Sequence, residues 1–143
     1  MHTAQSSGWA VKYDESLVQK LYVARQEALP METGGAIIGV TDLETKTIVI
    51  VDVLPTPTDS EASPSHFIRW QEDQAEVLKV VHKRTAGMVD YVGEWHSHPD
   101  GCPARPSELD ENLLSTLHRQ MSIEGLPALM VIAAKDAIGI FVR

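Results

Sequence analysis

The chain has 143 residues, of which 43% are hydrophobic and 22% charged, a balance typical of one globular domain with its own core. Its net charge of −8, from 12 basic and 20 acidic residues, would repel a phosphate backbone, so nucleic acid is not an expected partner. The sequence contains no run of about 18 consecutive apolar residues, which argues against a membrane-spanning helix and against a membrane partner.

The N-terminal segment and the cysteine content bear on cellular location. Residues 1–8 lack the basic start and the apolar segment of a secretory signal. The single cysteine, Cys102, allows no internal disulfide, which suits a reducing compartment. We therefore predict a single domain over residues 1–143, located in the cytoplasm.

The first elements have the character of packing elements. Apolar residues from Trp9 to Tyr13 alternate with polar neighbours, which predicts an edge strand or a frayed end over the first dozen residues. Asp14 can cap a helix that ends at Pro30. The apolar positions of this helix, together with Arg25, recur at spacings of three and four residues, and this pattern favours packing over chemistry.

Two apolar runs, at residues 36–40 and 47–54, predict an antiparallel hairpin whose second run is a central strand. Glu32 and the glycines Gly34 and Gly35 precede the first run. Glycines allow another backbone or a substrate to approach closely. A glutamate in this position is otherwise a solvated loop carboxylate, so the residues alone leave both interpretations open.

The Pro-rich residues 55–65 predict a long loop, and loops of this length are often functional or mobile. Phe67 and Trp70 then anchor the next helix or, alternatively, contact a substrate. That helix spans about residues 71–85 and ends near Gly87. Its predicted inner face carries Ala75, Leu78, Val81 and His82.

The next strand, beginning near residue 88, runs into two histidines, His96 and His98. Because side chains alternate along a strand, both imidazoles point to one side and can bind one metal ion. Asp110, in the first turn of the following helix, can supply a third ligand. Three protein ligands leave a position for water, as in catalytic zinc sites. The alternative is that both histidines are ordinary residues at a strand end.

Ser107 and Asp110 also have the pattern of a helix start, with a side-chain oxygen on free N–H groups and an acid near the positive helix end. Both roles can hold at once. The helix extends to about residue 122, and its predicted inner side carries Leu109, Leu113, Leu114 and Leu117. A last hairpin joins residues 128–134 to residues 138–142. The order of elements predicts an α/β (α+β) fold, a mixed sheet with helices packed around it.

Three segments together carry a resemblance to a known family. They are Glu32-Thr33-Gly34-Gly35, Trp95-His96-Ser97-His98-Pro99 and Pro106-Ser107-Glu108-Leu109-Asp110. This set resembles the signature of the JAMM (MPN-domain, JAB/Mov34) zinc metalloproteases, particularly the small prokaryotic members. The loop at residues 100–106 is one residue longer than the family spacing, which a surface loop absorbs easily. The resemblance implies the family's sandwich, related to the cytidine deaminase fold.

The resemblance also implies an activity. It suggests a zinc peptidase or isopeptidase in which His96, His98 and Asp110 hold Zn²⁺, Glu32 is the general base and Ser107 donates a hydrogen bond to the developing oxyanion. Family members cleave after the C-terminal Gly-Gly tail of ubiquitin or a ubiquitin-like protein, in processing or in deconjugation. A ubiquitin-like protein or its conjugate is therefore the expected substrate of a bacterial-type enzyme. Ubiquitin-like activating or conjugating enzymes of the same operon are candidate partners.

Three other functions would need different sequence features. A non-enzymatic interaction module would not need the ligand positions, all of which are filled here. A zinc hydrolase acting on a small amide would need a pocket instead of an extended groove. A nucleobase deaminase needs His-x-Glu and Pro-Cys-x-x-Cys, and the sequence has neither. Cys102 is either an ordinary loop residue or a thiolate that occupies the water position and holds the enzyme inactive.

Overall fold

A computed structural model describes residues 1–54, 61–62, 67–68 and 72–143. The strands within them are β1 (His2–Ser6), β2 (Trp9–Tyr13), β3 (Gly34–Asp42), β4 (Thr47–Val53), β5 (Glu61–Ala62), β6 (Phe67–Ile68), β7 (Asp90–Ser97), β8 (Leu129–Ala133) and β9 (Ile138–Val142). The helices are α1 (Glu15–Ala28), α2 (Glu72–Arg84) and α3 (Glu108–Ser122). None of these helices combines the length and the apolarity needed to cross a bilayer.

Seven strands form one sheet in the order β1-β2-β4-β3-β7-β8-β9. The β2–β4 and β7–β8 pairs are parallel and the other pairs antiparallel, so the predicted mixed sheet is confirmed. The β3–β4 and β8–β9 hairpins are also confirmed. β4, predicted as a central strand, lies inside the sheet between β2 and β3.

The N-terminus forms a hairpin where one edge strand or a frayed end was expected. Ser7 and Gly8 both have positive φ, 50° and 82°, as a two-residue turn that matches strand twist requires. β1 is the outer strand, and Val11 of β2 is fully buried. The backbone N–H of Val142, in the opposite outer strand β9, donates to Ser6 Oγ at 2.9 Å. The two outer strands of the sheet are therefore linked.

Helices cover both faces of the sheet. Asp14 caps α1 as predicted, and this helix packs Leu17 and Leu21 into a core cluster that contains Trp95 of β7. Side chains of alternate strand positions meet α2 and α3 on the other face.

The inner faces predicted for α2 and α3 need correction. In α3 the buried residues are Asp110, Leu114 and Leu117, whereas Leu109 and Leu113 are 55% and 37% exposed. The buried stripe follows positions i, i+4 and i+7, and Leu109 and Leu113 lie about 100° away around the helix.

The inner face of α2 also differs from the prediction. Leu78 and Val81 pack against the sheet, whereas Ala75 is exposed and His82 is a surface residue near Asp90, not a packing residue.

The loop predicted over residues 55–65 lies mostly outside the described residues. Glu61 and Ala62 are described, and they pair with Ile68 and Phe67 in the two-stranded β5–β6 ladder. Trp70, predicted to anchor α2 or contact a substrate, also lies outside the described residues.

Candidate metal centre

Two imidazoles at the end of β7 face one carboxylate of α3. His96 Nε2 lies 2.8 Å from Asp110 Oδ1, and His98 Nε2 lies 2.8 Å from Asp110 Oδ2. All three side chains are buried. The structure thus brings together the three residues that the sequence pattern singled out, and their roles as metal ligands remain a prediction.

The ring of His98 is fixed from behind. Its Nδ1 lies 2.7 Å from the carbonyl oxygen of Pro103. Since a carbonyl only accepts hydrogen bonds, Nδ1 carries the proton and Nε2 is left to face Asp110. A carbonyl partner behind the ring is the usual support of a metal-binding histidine.

His96 supplies the test of whether a cation fits. Among the described residues its buried Nε2 has no partner with hydrogen-bond geometry, although it makes a 2.8 Å ion-pair contact with Asp110 Oδ1. An unsatisfied buried nitrogen destabilises a protein by roughly 1–3 kcal/mol. A cation bound by both imidazoles and the carboxylate would satisfy this nitrogen, so the donor set fits a metal ion.

Asp110 is also part of a helix cap. Its Oδ2 accepts the backbone N–H of Ser107 at 2.8 Å, and Ser107 Oγ accepts the backbone N–H of Asp110 at 3.2 Å. This capping box confirms the helix start predicted at Ser107. Because Ser107 Oγ acts as an acceptor there, its own O–H remains able to donate to a substrate oxygen.

Glu32 reaches the same site from the other end of the chain. Single ligand atoms of Glu32, His96 and His98 lie within 4.8 Å of one another, and the Glu32 side chain is buried. Two carboxylates, Glu32 and Asp110, are therefore close enough to compete for the third ligand position.

Close pairing of β3 with β7 explains why Glu32 lies there. The Thr33 N–H donates to Ser97 Oγ at 2.9 Å, and the Ser97 N–H donates to the Thr33 carbonyl at 2.8 Å. A Cβ at Gly34 would overlap the carbonyl oxygen of Trp95 and lie 2.9 Å from His96 Cα. The close approach expected at the glycines is therefore, at Gly34, an approach of backbone to backbone.

The two carboxylates differ in their electrostatics. Burial raises the pKa of Glu32 to about 7, with His98 lowering it and Asp110 raising it further. Burial would also raise the pKa of Asp110, but its contacts with His96 and His98 outweigh burial and hold this pKa well below the usual range. Asp110 is thus ionised at neutral pH, whereas Glu32 is poised to take up and release a proton.

A cavity of about 640 Å³ opens onto Glu32, His98 and Ser107. This volume lies within the range of small-molecule and cofactor sites. The remaining lining is largely apolar: Pro99, Cys102, Pro103, Arg105, Pro106, Glu111 and Phe141. Cys102 is exposed at this cavity, and its proposed inhibitory role stays a prediction.

Sequence reasoning missed two polar residues near the site. Glu94 is buried, and its Oε2 accepts a hydrogen bond from the Tyr91 hydroxyl at 2.7 Å. Its position two residues before His96 on the same strand could have marked it. The other is Arg25 of α1, a buried cation that donates to the carbonyl oxygen of His98. A charge on an apolar helix stripe was its only signal.

A family model described as prokaryotic homologues of the JAB domain matches residues 14–141. The chain belongs to this family. The small prokaryotic JAMM/MPN resemblance of its sequence motifs is thereby confirmed.

Two curated relatives carry names of activities. The chain is 28% identical over 137 residues to the "CD-NTase/cGAS isopeptidase" of Enterobacter hormaechei subsp. hoffmannii (strain UCI 50), covering 96% of this chain and 74% of the relative. It is 29% identical over 107 residues to the "Probable metalloprotease y4qB" of Sinorhizobium fredii (strain NBRC 101917 / NGR234), covering 73% of this chain and 63% of the relative.

A solved structure supports the fold. The solution structure of protein DSY2949 from Desulfitobacterium hafniense superposes with a TM-score of 0.60 at 22% identity, covering 91% of this chain and 88% of that one. With this neighbour, the mixed sheet and its helices confirm the predicted fold class.

Proposed function

We propose that this JAB-family protein is a zinc-dependent isopeptidase or peptidase that cleaves after the C-terminal Gly-Gly tail of a ubiquitin-like protein. One observation carries the proposal. Two buried imidazoles share an ionised aspartate, and a second buried carboxylate lies beside them at an open cavity. An isopeptidase and a metalloprotease among the named relatives agree with this chemistry.

We assign the ligand role to His96, His98 and Asp110, and the general-base role to Glu32. Asp110 is 2.8 Å from both imidazoles and is held by the Ser107 N–H. Two nitrogens and one carboxylate oxygen match the ligand sets of catalytic zinc. Glu32, with a pKa raised to about 7, suits proton transfer near neutral pH better than permanent coordination.

Zinc, when bound, would lower the pKa of a coordinated water from about 15.7 to about 7 and polarise the scissile carbonyl. Glu32 accepts the proton of the attacking water and returns it to the departing amine, a contribution of roughly 10²–10⁴-fold in rate. The Ser107 hydroxyl donates to the developing oxyanion, and losing one such donor costs about 10²–10³ in turnover.

The substrate class follows from the family and from the reaction. An isopeptide bond joins a carboxyl terminus to a side-chain amine, and the Enterobacter relative is named an isopeptidase. A Gly-Gly tail has no side chains, so its backbone can come closer to the metal centre than the backbone of any other residue pair. We therefore propose a ubiquitin-like conjugate or precursor as substrate, with the enzymes that attach the ubiquitin-like protein as functional partners.

The cavity favours a second candidate, a zinc hydrolase of a small amide. A volume of about 640 Å³ with three prolines and Phe141 in its lining could enclose a compact ligand. In this function the same residues perform the same chemistry, and only the acyl group differs.

Metal analysis and a cleavage assay test the proposal. Purified protein should contain one zinc ion and hydrolyse Gly-Gly-linked ubiquitin-like fusions. Glu32→Gln should keep the metal and lose hydrolysis, whereas His98→Ala and Asp110→Asn should lose the metal. Metal in the wild type without hydrolysis of any fusion would favour the small-amide hydrolase. If Glu32→Gln loses the metal and Asp110→Asn keeps it, Glu32 is the ligand and Asp110 is not, which contradicts the assignment.

A further inference from the structure

A buried guanidinium lies at the end of the apolar stripe of α1. The buried positions of this helix are Leu17, Leu21 and Arg25, spaced four residues apart, and Arg25 is only 3% exposed. Arginine is almost never buried so deeply unless it is paired, because an unpaired buried charge is strongly destabilising. The partners of Arg25 therefore indicate why it is there.

Both contacts of this guanidinium reach the segment that follows β7. Arg25 Nε donates to the carbonyl oxygen of His98 at 2.8 Å, and Nη2 donates to Asp100 Oδ1 at 2.6 Å. These partners are 73 and 75 residues away in the chain. A planar guanidinium fork can hold two acceptors in fixed directions at once.

The orientation of the His98 ring depends on this segment. The backbone N–H of His98 donates to the Ala133 carbonyl at 2.8 Å, which fixes the residue on the side of β8. Its ring Nδ1 contacts the Pro103 carbonyl, which belongs to the loop that begins next to Asp100. Arg25 thus holds the carbonyl of His98 and the start of the loop that supports its ring.

We infer that Arg25 is a positioning residue for the metal centre, whose fork fixes the main chain of His98 and the first turn of the loop and thereby directs His98 Nε2 at the metal position. The inference rests on the proposed function, since it requires His98 to bind a metal. Residues that orient metal-binding histidines in this way typically change metal affinity by about 10–100-fold when mutated.

Three variants separate positioning from packing. Arg25→Lys keeps the positive charge but replaces the planar fork by one ammonium nitrogen. Asp100→Ala removes one of the two acceptors. Because the Asp100 side chain is 62% exposed, its loss leaves no apolar cavity, and circular dichroism checks that the variant folds. Lys20→Ala is the matched control, because Lys20 on the same helix pairs with Asp52 of β4 at 2.7 Å and not with the His98 segment.

The experiment measures metal binding without substrate. Metal-free protein is titrated with Zn²⁺ against a chromophoric chelator and with Co²⁺ by its visible absorption, and far-ultraviolet circular dichroism checks folding. Arg25→Lys should bind zinc about 10–100-fold more weakly with an altered cobalt spectrum. Asp100→Ala should show a smaller change in the same direction, and Lys20→Ala should match the wild type.

The outcomes are separable. Wild-type affinity and spectrum in a folded Arg25→Lys would overturn the inference, and Arg25 would then be a packing residue only. If Arg25→Lys does not fold, Asp100→Ala decides, and unchanged metal binding in that variant overturns the inference. A wild type that binds neither metal overturns the proposed function and this inference with it.

Discussion

At the scale of single residues, several side chains of the site have both a structural role in the fold and a position at the candidate metal centre. The Asp110 carboxylate caps α3 and faces two imidazoles. Ser97 accepts the Thr33 N–H while it separates the two histidines in sequence. Motif spacing singled out His96, His98 and Asp110 as candidate ligands because they lie in short segments, and the family resemblance added Glu32 and Ser107. It could not identify Arg25, whose partners are more than 70 residues away.

Glu32 should make the stability of the metal-free protein depend on pH. Its pKa of about 7 in the folded state lies above the ordinary 4.5, so the folded state binds the extra proton more tightly. The resulting stabilisation is complete below about pH 4.5 and is lost as pH rises through about 7. Glu32→Gln mimics the protonated form and should be more stable than the wild type at pH 8, by on the order of 1–3 kcal/mol.

Thermal unfolding with chelator present, at pH 5 to 8, measures this difference. The gap between Glu32→Gln and the wild type should widen with increasing pH. The exposed Glu27 of α1 provides the control variant, Glu27→Gln. A gap that stays constant with pH would show that Glu32 does not carry the effect.

The Ser107 hydroxyl should matter separately from the helix cap. Replacing an N-cap serine by alanine costs about 1 kcal/mol of stability, and replacing it by glycine only a few tenths. Both variants lose the hydroxyl donor, so both should lose about 10²–10³ in turnover. Urea unfolding and single-turnover cleavage measure the two effects. Turnover retained by Ser107→Gly would assign Ser107 to capping alone.

At the scale of elements, local pattern and long-range pairing differed in how well they could be predicted. Caps, glycine stops and alternating runs located the helices and the strands β3, β4, β8 and β9, because these signals depend on neighbouring residues. The predictions of the inner faces of α2 and α3 were partly wrong, since several apolar stripes fit each helix and only packing selects one. Neither strand carries a sequence signal that would have predicted the parallel pairing of β2 with β4.

Gly34 should be required for the approach of β3 to β7. In Gly34→Ala the new methyl group would overlap the Trp95 carbonyl oxygen, so the strands must separate near Glu32 and His96. Such overpacking costs typically 1–3 kcal/mol, and zinc affinity should fall with it. Gly39→Ala is the matched control, since its new methyl group would overlap the Val49 carbonyl of β4 in a similar way, five residues farther along β3.

Urea unfolding and zinc titration of both glycine variants measure the difference. Both should lose stability, but only Gly34→Ala should lose metal affinity. Equal zinc affinity in the two variants would mean that the spacing of β3 and β7 does not control the site.

At the scale of the whole molecule, the candidate centre joins three elements that are distant in the chain. His96 lies in β7 and His98 directly after it, α3 contributes Asp110, and Glu32 lies two residues before β3. The fold class followed from the order of elements, whereas the approach of Glu32 to the imidazoles was implied only by the resemblance to a family. Spacing along the chain does not encode which loops meet across a sheet.

Removing zinc should therefore destabilise the entire domain. A ligand that binds only the folded state contributes about 2.7 kcal/mol when its free concentration is 100 times its dissociation constant. The melting temperature of the wild type should fall when chelator is added and recover with zinc. His98→Ala should melt at one temperature with or without chelator, and a chelator effect that persists in this variant would place the metal elsewhere.

The hydrogen bond from Val142 to Ser6 Oγ has a consequence for encounters between copies of the protein. Outermost strands present unpaired amides that can template the stacking of a second molecule. Here the two outer strands, β1 and β9, contact each other, and the backbone N–H of Val142 in β9 already donates a hydrogen bond. This closure of the sheet therefore leaves one fewer free amide with which the strand of a second copy could pair.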